Sequence, residues 1–71
     1  MKLENVKVGT TVRVKTEMND DVLSFYLRHR GAVGTVIEAP DEDGDVTVQF
    51  DDGRIDFGHH SNLKRIKEKH S

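Results

Sequence analysis

The chain has 71 residues, with 11 Lys and Arg against 13 Asp and Glu, a formal net charge of -2 and no cysteine. A single domain is the most this length supports, with a core that hides about 60% of the surface of the unfolded chain, and disulfide staples and thiolate zinc sites are excluded. No apolar run approaches the ~20 residues a bilayer span needs, Met1 to Asn5 lacks the apolar segment of a signal peptide, and the mixed charges exert no global pull on polyanions, so a cytoplasmic protein without membrane contact is expected.

Nine valines dominate the Leu, Ile, Val and Phe set, and their stiff branched side chains favour strands. Gly9 is a turn residue, and Thr10 to Lys15 reads as the first strand, with Val12 and Val14 on one face and Thr11, Arg13 and Lys15 on the other. From Thr16 to Arg30 the pattern changes, because Val22, Phe25, Tyr26 and Leu27 fall near helical spacing. Asn19 or Asp20 suits a cap, Arg28, His29 and Arg30 suit a last turn, and Gly31 suits a stop. The segment is therefore a short helix or helical loop, or else an irregular loop that folds its aromatics onto the rest of the domain.

Ala32 to Glu38 is the second strand, with a slip of alternation around Gly34 that a bulge or sharp bend would repair. Pro40 to Gly44 is a solvated acidic turn. Val46, Val48 and Phe50 alternate with polar residues in the third strand, and Asp51-Asp52-Gly53 is a hairpin turn into Arg54 to Phe57. There Ile55 and Phe57 share a face, and Ile55 is expected in the core with Val36 and Val48. Gly58 to Asn62 is a turn or a single helical turn, and Leu63 to Ile66 closes the domain, which spans 1–66. Residues 67–71 are a charged tail.

Five short strands, a long first loop, a bent central strand, a tight hairpin and a short turn before the last strand resemble the SH3-like barrel, so the expected class is mostly β: a five-stranded SH3-like barrel with a short helix or helical loop between strands 1 and 2. Within it Gly31-Ala32-Val33-Gly34-Thr35-Val36 is similar to the KOW motif of ribosome- and transcription-associated proteins, a resemblance that implies RNA or a transcription or translation complex as partner. The stretch from Gly34 to Leu63, with Val48-Gln49-Phe50-Asp51-Asp52-Gly53, is also similar to small barrels that accompany ubiquitin-ligase and other protein-binding modules. The acidic residues at 41 to 45 depart from what RNA binding asks for.

No catalytic residue is expected, because no Ser-His-Asp or Cys-His arrangement and no phosphate-binding glycine loop is present. His29, His59, His60 and His70 lack metal-ligand spacing, and Asp51, Asp52 and Asp56 are turn chemistry rather than a calcium loop; no metal, cofactor or small-molecule substrate is expected. The aromatic and arginine composition enriched at binding hot spots selects Phe25, Tyr26, Arg28, Arg30, Phe57, His59 and His60 as the contact set for a protein partner, with Phe25 also able to plug the barrel mouth. The alternative is nucleic-acid contact through Arg28, Arg30, Lys64, Arg65 and Lys67, if the two basic groups merge into one stripe.

Overall fold

Alternation sets the strands in the computed structural model, which describes residues 6–66. Val12 and Val14 turn inward from β1 (Thr11–Val14), and Val46, Val48 and Phe50 from β3 (Asp45–Phe50), while Arg13 and Gln49 face out. β2 (Val33–Glu38), β4 (Ile55–His59) and β5 (Leu63–Arg65) complete one antiparallel sheet in the order β4-β3-β2-β1-β5. The core between the folded halves of that sheet holds Val6, Val12, Val14, Phe25, Val36, Val46, Val48, Phe50 and Leu63. No helix among the described residues is long and apolar enough to cross a membrane. The expected tail, with Lys67, lies outside the described residues.

The strand order is compatible with an SH3-like arrangement, yet the sheet is not closed into the expected barrel: β4 and β5 stand at its two ends. They are linked by a single 3-10 turn at His60–Asn62, and β5 is only 3 residues long. The long loop between β1 and β2 also departs from its helical reading. Only Leu27–His29 forms a 3-10 turn; the rest is the irregular alternative. Local side-chain bonds compete with helix there, since Asn19 Oδ1 accepts the N–H of Asp21 and the Asn19 carbonyl accepts the hydroxyl of Ser24.

Two differences in register matter for the site. Alternation in β2 runs unbroken through Gly34, which is buried alongside Val36, and the register shift falls between Val36 and Glu38 instead. In the hairpin, Phe50 N–H bonds the Arg54 carbonyl, and this loop length sets Ile55 opposite Gln49 and Asp56 opposite Val48. A one-residue change of register exchanges the two faces of a strand. Ile55 and Phe57 do share a face, but it is the outer one, and Asp56 takes the inner position where Ile55 was expected.

Candidate functional site

The inverted face of β4 leaves Ile55 and Phe57 outside, 56% and 57% exposed, beside the loop that carries Tyr26 at 67%. Three anchors lay the loop along this edge. Asn62 is fully buried; its Oδ1 accepts the N–H of Asn19 at 2.7 Å and its Nδ2 donates to the Leu23 carbonyl at 3.1 Å. That carbonyl also accepts the N–H of His59 at 2.8 Å, so the loop takes up an outward backbone donor of the edge strand. Phe25 then drops into the core, edge-on to Phe50 with ring centroids 6.5 Å apart, and packs on Gly58.

The third anchor is a buried carboxyl group. Asp56, 5% exposed, accepts the N–H of Tyr26 at Oδ2 and the N–H of Phe57 at Oδ1, each at 2.8 Å. The 3-10 turn swings His29 back beneath Tyr26, where its Nδ1 donates to the same Oδ2 at 2.8 Å and its ring stacks on Phe50 at 4.2 Å. The carboxylate thereby fixes the ring orientation. His29 Nε2 is buried and has no hydrogen-bond partner among the described residues. Above the ring lies a shallow concavity of about 450 Å³ lined by Tyr26, Arg28, His29, Arg54 and Ile55. The Arg28 guanidinium stands 5.9 Å from the centroid of the Tyr26 ring.

No protein family, curated protein or solved structure matches the chain.

The structure brings Tyr26, Arg28 and Phe57 to one exposed side around β4 and removes Phe25 from it, since Phe25 is 2% exposed and serves as the plug. Arg30 sits where the chain crosses to β1: its N–H closes the 3-10 turn on the Leu27 carbonyl, and the next residue, Gly31, bonds Val14. His59 and His60 are half-buried with ring centroids 4.3 Å apart. They pack on Gly44 of the acidic turn, and His59 caps the second 3-10 turn, its Nδ1 meeting the N–H and hydroxyl of Ser61. In that acidic turn Asp41, Asp43 and Asp45 gather carboxylate oxygens within 4.8 Å of one another, and Asp41 Oδ1 accepts the N–H groups of Asp43 and Asp45.

Of the basic residues expected to form one stripe, Lys67 lies outside the described residues. Arg28 lines the concavity over His29, whereas Lys64 and Arg65 line a separate groove of about 800 Å³ with Arg13, Lys15, Thr16 and Glu17. Arg13 and Lys64 are direct cross-strand partners. Sequence reasoning placed Arg13 and Lys15 on the outer face of β1 without counting them as contacts. It missed Asp56, His29 and Asn62 as structural anchors altogether, because nothing in their spacing distinguishes them from turn residues.

Proposed function

We propose that the chain is a non-catalytic, SH3-like binding module that recognises a protein segment through the outer face of β4 and the loop laid along it. The supporting observation is the exposure of Tyr26, Ile55 and Phe57 on one side of so small a domain. Large side chains left in water beside arginine have the chemistry of interface anchors, and each offers roughly 1.5–3 kcal/mol on full burial. His29 and Asp56 form a pair with no hydroxyl or thiol bonded to the free ring nitrogen, which supports a positioning role over a nucleophilic one. Substituting Phe57→Ser together with Tyr26→Ser should change stability by no more than about 1 kcal/mol, as expected of exposed sites, while reducing capture of a protein partner at least about tenfold. Undiminished capture by a folded double variant would refute this reading.

A second reading, contact with nucleic-acid phosphates, is supported by a different observation. Like charges placed directly across a strand pair destabilise it, and Arg13 faces Lys64 in a groove that also holds Lys15 and Arg65. An anion in the groove relieves that repulsion. Binding of a labelled duplex through about four phosphates should weaken on the order of a hundredfold between 50 and 200 mM salt and disappear in Arg13→Glu, Lys64→Glu. Absence of binding at low salt eliminates it.

A further inference from the structure

His29 combines two properties that rarely coincide: its ring is held in one orientation, and one of its nitrogens is left without a partner. The first comes from Asp56, itself tied by the N–H groups of Tyr26 and Phe57, so that turning the ring over would set carbon against the carboxylate. The second, Nε2, is buried, and native structures leave few buried polar atoms unpaired without a functional or structural cause. Metal ligation does not supply the cause, because the group of acidic or imidazole side chains close enough to share an ion among the described residues is Asp41, Asp43 and Asp45, in another turn. A ligand hydrogen bond does.

The surroundings specify the ligand. Arg28 and Arg54 flank the concavity, Tyr26 and Ile55 form its apolar walls, and its volume of about 450 Å³ accommodates a small anionic group with the side chain that bears it. Guanidinium groups favour oxyanions through paired N–H donors. The Arg54 guanidinium makes an exposed 3.5 Å contact with Asp52, which is weak enough to be exchanged. A phosphomonoester, with a second pKa near 6, offers both P–OH and P–O⁻, so it satisfies Nε2 whether that atom accepts or donates; an ionised carboxylate can only accept. We infer that the concavity over His29 is a subsite for a phosphoryl group carried on a side chain of the protein partner. This rests on the protein-recognition reading above and names the chemistry of the partner. Because Nε2 is covered in the free protein, occupancy needs a side-chain movement. Tyr26 lies edge-on to His29 at 6.2 Å, with its backbone N–H tethered to Asp56.

The test is an NMR titration of the full chain with phenyl phosphate, benzoate and inorganic phosphate, following the His29 ring nitrogens. Phenyl phosphate should shift Nε2 saturably, with benzoate at least tenfold weaker and inorganic phosphate weaker than phenyl phosphate. Arg28→Glu with Arg54→Glu, both on the surface, should raise the dissociation constant at least tenfold in a folded protein; this pair keeps the test decisive if His29→Gln fails to fold. No saturable shift at Nε2, or equal binding of benzoate, overturns the subsite. Inorganic phosphate binding as tightly as the phenyl ester overturns the partner-borne ligand. In the capture assay, phosphatase treatment of the lysate should abolish the Phe57-dependent signal. A signal that still needs Phe57 but ignores phosphatase overturns the inference and leaves protein recognition standing, whereas a signal undiminished in the folded Phe57→Ser, Tyr26→Ser variant refutes protein recognition and with it the partner-borne ligand.

Discussion

Asp56→Ala should remove about half of the chain's stability at 25 °C. The substitution removes one carboxylate and strands three donors at once: the N–H of Tyr26, the N–H of Phe57 and Nδ1 of His29, each now at 2.8 Å. Breaking a buried pair from one side costs about 3–5 kcal/mol, and a domain of this size has only roughly 4–10 kcal/mol to lose. At about 4–8 °C per kcal/mol, a thermal melt followed by circular dichroism should fall by roughly 15 °C or more. Asp56→Asn keeps an acceptor oxygen for one backbone N–H but turns an NH2 group toward a donor, so its melting point should lie between wild type and Asp56→Ala. If Asp56→Ala melts within a few degrees of wild type, the carboxylate is not what seats the loop, and the geometry over His29 loses its foundation.

The reason this anchor escaped sequence reasoning is instructive about which signals a sequence carries. Val12, Val14, Val46, Val48 and Phe50 announce their faces by alternation, and the structure buries all of them. Ile55 and Phe57 alternate just as cleanly, but alternation says only that two residues share a face. Which face is core depends on hairpin loop length, here fixed by the Phe50 to Arg54 bond, and a single residue more or less would exchange Ile55 for Asp56. The loop from β1 to β2 misled for a different reason. The near-helical spacing of Val22, Phe25, Tyr26 and Leu27 is real, yet only Phe25 finds a core position, while Asn62 and Asp56, distant in sequence, capture the backbone groups that a helix would have used. Long-range side-chain anchors of this kind leave no periodic trace.

The same anchors account for the composition of the exposed side. Once Asn62 has fixed Asn19 and Leu23, and Asp56 has fixed Tyr26, the four-residue step from Leu23 to Leu27 has a single inward position, which Phe25 fills against Phe50 and Gly58. Tyr26 and Leu27 are then left exposed, with Tyr26 beside Ile55 at the concavity. The exposed apolar side is thus a consequence of burying a polar pair beneath it, and a buried polar pair fixes the side chains above it at a cost in stability.

Gly34→Ala should be the most damaging single-methyl change in the sheet, and a comparison with Gly53→Ala isolates why. β2 is the central strand, pairing Gly34 with Val12 on one side and Phe50 on the other. A methyl group at Gly34 would lie 2.6 Å from Val48 Cγ1, 2.7 Å from the Gln49 carbonyl oxygen and 3.0 Å from Phe50 Cδ1. The Val48 and Phe50 side chains are buried and can shift only by disturbing the core, and the backbone oxygen cannot shift without its strand, so relief requires β2 and β3 to separate and both pairings to distort. Overpacking of this kind costs typically 1–3 kcal/mol and more where backbone must move, so a loss of about 3 kcal/mol or greater is expected, read as a shift of the urea midpoint. Gly53 presents the opposite case: nothing lies within 4 Å of the added carbon, but φ is +87°. Its cost is purely conformational, about 1–2 kcal/mol. Gly34→Ala should therefore lie well below Gly53→Ala in stability. The reverse order would mean that β2 and β3 are not packed this closely, and that the central strand does not occupy the position on which the whole sheet depends.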